Sequence, residues 1–421
     1  MGNESAWVEW FWERYFSSQN CPYDASALTD ANNITCQFYS IGFVEVKVWL
    51  VGVFGTTLAA IGFVQNIILT YIFLCRKKFR SSPMFFLGCA AFFDFLLDFS
   101  YIFLMTVSVF YEHYTSVFLL TLWHSYVRWM NCLSQVSMTA STFLLTAASF
   151  ERYKLVMYWT FQGFSVHMRY VYMTFALTLA CILKLTSYFE LQVVHIPDCA
   201  LYHPLTTHAL FPTCLSLVPA YGTFFKFWLR KIFTIIVPFG LLTYFNVAIV
   251  LRLQRPHSGR AEMDLQTAML SVAYGRATVK QHKEQVHRAT RTMVLVASAY
   301  LITHVLNFVI AAWELLDKEN LAENYFVFYS FGSDLSSILA VFGNVVRLPI
   351  YVTSDPEIRA ALFQLLCPLS ESNRRRRRVE RQRADLGLNS QDLIHNHNNN
   401  ATEPSNGHAA KDSDSLELHF I

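Results

Sequence analysis

The residues able to do chemistry in this chain are charges set into apolar sequence. From Met130 to Tyr158 runs MNCLSQVSMTASTFLLTAASFERYKLVMY, apolar apart from small polar residues and a closing Glu151-Arg152-Tyr153-Lys154. Ser134, Ser137, Ser141 and Ala148 recur at three, four and seven residues, which places them on one helix face. Small and hydroxylated residues on such a face let helices approach closely and hydrogen-bond to each other inside a membrane. Charges at membrane depth are costly without partners, so Glu151 and Arg152 are functional candidates by default. The chemistry open to them is the pairing and unpairing of charge. The 14 histidines are scattered, without HExxH or similar spacing, and the nine cysteines are too dispersed for a zinc site or a disulfide scaffold. No soluble-enzyme constellation is present, and neither a metal, a cofactor nor a nucleic-acid partner is expected.

The elements that must position these residues follow from composition. Of 421 residues, 54% are hydrophobic and only 15% charged, where a soluble protein carries about 25% charged. Mean hydropathy is +0.31, and the 37 phenylalanines suit lipid-facing helices better than a water-soluble core. Apolar runs long enough to span a bilayer lie at about 46–75, 83–111, 121–157, 170–192, 228–253, 286–316 and 325–353, since about 20 residues suffice. Lys184 and Glu190 interrupt the outer end of the fourth. The expected fold is therefore an all-α membrane protein, a bundle of seven transmembrane helices over residues 45–353.

Orientation comes from the short loops. The first carries Arg76, Lys77, Lys78 and Arg80 without an acid, and the third, about 254–285, carries Arg255, Arg260, Arg276, Lys280 and Lys283. An excess of Lys and Arg marks the cytoplasmic side, so the N-terminus is expected outside. Lys226, Arg230 and Lys231 then lie outside against that trend. No basic start followed by an apolar run and a small-residue cleavage site is seen, so no cleavable signal peptide is expected. Residues 1–44 form an extracellular segment whose sequons make Asn3 and Asn33 glycosylation candidates. Residues 354–367 have the pattern of a short amphipathic interfacial helix, with Cys367 placed for palmitoylation. Residues 368–421 are expected to be a disordered cytoplasmic tail, whose Arg374 to Arg378 run either binds anionic lipid or serves as a stop-transfer and solvating run.

Taken together, these features resemble a rhodopsin-like G-protein-coupled receptor over about residues 46–367. The Glu/Asp-Arg-Tyr triplet ends the third helix of that family, with Ser141 and Leu145 matching a Ser-x-x-x-Leu step above it. Asn66 and Asp94 match an interior Asn and Asp on the first two helices, and Pro238 matches a bending proline on the fifth. Arg347-Leu348-Pro349-Ile350-Tyr351 lies where the family has Asn-Pro-x-x-Tyr. A buried carboxylate must be paired or neutral, and Asn66, Ser141 and the seventh helix, with Asn344 and Arg347, are expected around Asp94. Such receptors commonly hold sodium beside that aspartate. Here Arg347 either supplies the positive charge itself or extends toward the headgroups.

What the resemblance implies is a plasma-membrane receptor that couples an extracellular ligand to a heterotrimeric G protein, with the switch at Glu151, Arg152, Tyr153 and Tyr351. Membrane lipids, and arrestin through the tail, are further expected partners. Tyr188-Phe189-Glu190, Pro238 to Asn246 and Glu314 are similar to invertebrate FMRFamide-type neuropeptide receptors. Ser134 stands where amine receptors carry an aspartate, so a small amine would lack its counter-ion. A peptide ending in Arg-Phe-amide would need acids at the mouth, for which Glu190, Glu314 and Asp334 are candidates beside Ser134, Gln135 and His304. The alternatives are a chemosensory receptor for small molecules on the same bundle, and a transporter or channel, disfavoured by the lack of repeated halves. The family's helix-three cysteine has no counterpart near Val127; Cys132 lies more than a turn deeper. Cys199 could instead pair with Cys214, and Cys21 with Cys36. The sixth span has no proline, so any bend must come from groups such as Thr303 and His304.

Overall fold

The computed structural model describes residues 44–80, 82, 84–158, 164–195, 204–254, 276–317 and 325–366. Seven long helices dominate: α1 (Val44–Cys75), α2 (Phe85–His113), α3 (Val117–Tyr158), α4 (Val166–Phe189), α5 (Ala220–Gln254), α6 (Arg276–Leu316) and α7 (Phe326–Ser354). A further helix, α8 (Pro356–Leu366), follows directly. All but α3 are apolar enough over their length to cross a membrane on composition alone. Hydroxyl-bearing and charged residues along α3 lower its hydropathy, in keeping with a helix that faces other helices more than lipid.

That reading fits its neighbours, because α3 packs against α2, α4, α5 and α6, while α7 closes the ring onto α1. The outward faces carry Trp49, Phe175 and Ile302, all more than 60% exposed, as lipid-facing side chains would be. Polarity is turned inward: Asn66, Asp94, Asp98, Ser141 and Arg347 are all buried. Between α4 and α5, β1 (Leu191–His195) and β2 (His208–Pro212) form an antiparallel hairpin with Leu191 opposite Pro212. This short two-stranded sheet is the one addition to the all-helical expectation among the described residues. It defines a hairpin end of the bundle, opposite the Arg152 end.

Several helices are wound locally as π-helix, at Val48–Gly55 in α1, Ile102–Thr106 in α2, and Ala220–Leu229 and Ile232–Ile236 in α5. Extra residues per turn rotate the side chains beyond them, a device frequent at functional sites. In α5 the looser turns lead straight to the buried Pro238, which cannot donate a backbone hydrogen bond. In α6, Thr303 Oγ1 donates to the carbonyls of Ala299 (3.0 Å) and Tyr300 (3.1 Å), and His304 Nδ1 lies 3.1 Å from the Tyr300 carbonyl. Back-bonding of this kind is a proline-free way to bend a helix.

Gly62 lets α1 approach α2 closely. A Cβ at this position would lie 2.7 Å from Asp98 Oδ2 and 3.3 Å from Val345 Cγ2.

Candidate functional site

At the Arg152 end lie Glu151 and Arg152, the two charges whose pairing and unpairing the sequence singled out. Glu151 does not pair with its neighbour in sequence. Its carboxylate is fully buried and receives Arg169 of α4, with Nη2 at 2.8 Å and Nε at 3.2 Å from Oε1. Phe164 N adds a third donor at 3.1 Å. Locally, Ser165 caps α4 by accepting from Met168 N, so the helix begins one residue after the Phe164 amide that reaches Glu151. A planar guanidinium then meets the carboxylate as a fork, and the positive end of the α4 dipole favours an anion there.

Arg152 is also buried, yet its guanidinium makes no hydrogen bond or ion pair among the described residues; Glu151 and Asp355 act on it only through their charge. Tyr153 lies on the more accessible side, its hydroxyl 3.4 Å from that of Tyr244 on α5. Tyr351 is buried, edge-on to Phe73 of α1 at 5.3 Å.

In mid-bundle two carboxylates lie one turn apart on α2. Asp94 is ion-paired with Arg347 of α7 and accepts from Ser141 Oγ at 2.6 Å. Asn66 and Asn344 belong to a different acid, which sequence reading passed over. Asn66 Nδ2 donates to Asp98 Oδ2 at 3.0 Å, and Asn344 Nδ2 to Asp98 Oδ1 at 2.9 Å. The expectation that Asn66 neighbours Asp94 is thus corrected: the amide reaches the carboxylate one turn along. The available signal was the spacing of 94 and 98, since residues four apart share a helix face.

Toward the hairpin end, a cavity of about 520 Å³ opens between α2, α3, α5, α6 and α7, with Lys184 of α4 also in its wall. Ser134, Gln135, His304 and Glu314 line it, but Glu190 and Asp334 do not. Glu190 is bound by Arg230 through both terminal guanidinium nitrogens, by Lys226 at 3.2 Å and by the Tyr221 hydroxyl at 2.9 Å. Burial pushes its carboxyl up, but the hydrogen bonds and charge of Arg230, with Lys226 and Tyr221, outweigh that and hold it below the usual value. Asp334 pairs with Lys47 of α1 at 2.8 Å, and Glu314 with Lys231. Every acid expected to greet a basic ligand therefore has a basic partner within this chain. The basic residues 226, 230 and 231 of α5, read earlier only as loop charges, are the partners of Glu190 and Glu314.

At the cavity floor Tyr300 and His304 stack with centroids 3.9 Å apart, and the Tyr300 hydroxyl lies 2.8 Å from Thr142 Oγ1. Cys132 is a free thiol, and Cys214 is disulfide-bonded to a cysteine outside the described residues, because Cys75, Cys89, Cys132 and Cys181 are all free. Cys199, the expected partner, lies outside the described residues, as do Asn3, Asn33, Cys367, the Cys21–Cys36 pair and the tail.

Comparison with known proteins agrees with this architecture. The family profile "7 transmembrane receptor (rhodopsin family)" matches residues 65–340. Among solved structures, squid rhodopsin is similar with a TM-score of 0.57 at 15% identity, over 79% of this chain and 89% of that one. At that identity the likeness concerns the fold alone. No curated protein matches the chain by sequence. The family profile spans more than half of the chain, from within α1 to within α7, and on that ground the chain belongs to the rhodopsin family of seven-transmembrane receptors.

Proposed function

We propose that this receptor lies in the plasma membrane with its N-terminus outside, takes part of an extracellular peptide into the cavity, and signals at Arg152. As a member of its family it is a multi-pass, G-protein-coupled receptor and not an enzyme. The observation that carries the finer reading is that α3 lines the cavity at one end and holds Arg152 at the other. Between them its Ser141 bonds Asp94, which α7 meets through Arg347.

A ligand acts by preferring one of two arrangements of such a bundle, and it shifts the populations by its differential affinity. The preferred arrangement here opens the inner ends of α5 and α6 so that Arg152 lines a cleft for a G-protein helix. Basic residues in the loop after α1 and in the segment between α5 and α6 support the orientation. In this reading α8 lies at the inner membrane surface, and the tail with Arg374 to Arg378 meets lipid and arrestin.

The cavity volume, within the range of about 300–1,000 Å³ usual for small-molecule sites, also supports a chemosensory receptor on the same bundle. A peptide library and a panel of small environmental molecules, screened on cells carrying a promiscuous G-protein reporter, separate the two. A peptide hit lost in Arg152→Ala at equal surface level supports the first reading. Hits from the small molecules alone install the second.

A further inference from the structure

The cavity wall holds more positive charge than the chain neutralises. Four cations, Lys184, Lys226, Arg230 and Lys231, line it, while Glu314 is its one lining carboxylate. Glu190 behind the wall brings the acids to two, leaving a surplus of two positive charges. The distribution matters more than the count. Arg230 and Lys226 share Glu190, and Lys231 is ion-paired with Glu314. Lys184 has no carboxylate partner among the described residues. It is 9% exposed, and its ammonium donates to the neutral Gln135 Oε1 at 2.8 Å.

An ammonium has three donors and one formal charge, so one amide oxygen leaves it short of both acceptors and counter-charge. Burying a cation in that condition is costly, and an anion seated beside it removes much of the cost. Attraction across low-dielectric walls is also stronger than in water. Independently, the Thr234 hydroxyl on the same wall is buried without a hydrogen-bond partner. The lining also offers the aromatic rings of Phe239, Tyr300 and His304, set among hydroxyl and amide side chains such as Thr142 and Asn307.

We infer that this cavity binds the anionic group of an amphipathic ligand, a carboxylate seated on Lys184 and joined to an apolar or aromatic body that rests on the floor. The inference rests on reading the cavity as the ligand site. It replaces the guanidinium of an Arg-Phe-amide terminus by an acid as the group that enters. A free peptide C-terminus, an acidic side chain and a small organic acid share this chemistry.

The test measures thermal unfolding of purified full-length receptor in detergent, without a G protein. 4-Phenylbutanoate and 4-phenylbutanamide form a matched acid and amide, and 4-phenylbutylguanidine is the cationic counterpart. The acid is expected to raise Tm saturably, by roughly 5 °C at about a hundredfold its half-saturating concentration. The amide and guanidine should not, and the shift should vanish in Lys184→Met. Lys184→Gln serves if the methionine variant does not fold. Sodium sulfate replacing chloride at constant ionic strength should likewise stabilise wild type more than either variant. Shifts from the amide or guanidine equal to those from the acid would overturn the inference. So would parallel curves for wild type and variant, or no shift from either anion. With the acid bound, matched libraries of free-acid and amidated peptides then identify a peptide or a small organic acid as its source. Binding of the acid by a chain that never signals in cells would sink the proposed function and leave the anion site standing.

Discussion

Asp94 is 1% exposed, and a carboxylate so placed needs a proton, a metal cation or a basic side chain. Arg347 meets that need from α7, and the consequence is measurable. Asp94→Asn strands a buried guanidinium, at a cost of about 3–5 kcal/mol, and should appear as low surface expression. Exchanging the two charges, Asp94→Arg with Arg347→Asp, should restore part of it. Agonist affinity should not change when sodium replaces a bulky monovalent cation at constant ionic strength; a specific drop with sodium would show that an ion reaches Asp94 after all. This pairing was one of two readings open in the sequence, because both residues are ionisable and fall at interior positions of apolar runs, and the other sent Arg347 toward the headgroups. The Arg169 pairing was not legible. A base in the first turn of a helix opposes the dipole, and nothing in the linear order shows that Glu151 folds back onto it. The pairing makes its own prediction. Arg169→Gln should free Glu151 to act on Arg152, and basal G-protein signalling should fall at equal surface level.

At the scale of elements, the seven apolar runs could be read directly, because the length that crosses a bilayer is fixed by its thickness. What periodicity does not carry is how closely helices approach. Gly62 is one residue among many in an apolar run, yet it sets the distance at which α1 meets Asp98. Gly62→Ala should force the helices apart and break the Asn66–Asp98 hydrogen bond. A loss of about 1–3 kcal/mol is expected from overpacking of this kind, read as a lower Tm of the purified receptor. At the hairpin end, Glu190 joins the end of α4 to α5 through Arg230, a contact that sequence alone did not disclose because Arg230 read only as an outer-side charge against the positive-inside trend. Its carboxyl is held below the ordinary 4.5, so its stabilisation is complete above that value and is lost as pH falls through the lower one. Unfolding of wild type should therefore become easier on acidification below about pH 4.5, and Glu190→Gln should show less of that change.

Across the whole molecule, orientation governs which end meets ligand and which meets the G protein. A tag at residue 1 should be accessible to antibody on intact cells, and Asn33→Gln should lower the apparent mass by removing a glycan. A tag reached only after permeabilisation would invert the proposed topology. The buried pair between α2 and α7 has one further consequence, an electrical one. A receptor that stored an exchangeable cation at its centre would release it across part of the membrane field, where one charge over 100 mV is worth about 2.3 kcal/mol. Here the cation is Arg347, covalently part of α7, and it cannot leave for either compartment. Depolarising the cell should leave the half-activating agonist concentration unchanged, so that a neuron or an oocyte, resting or firing, hears the same ligand at the same strength.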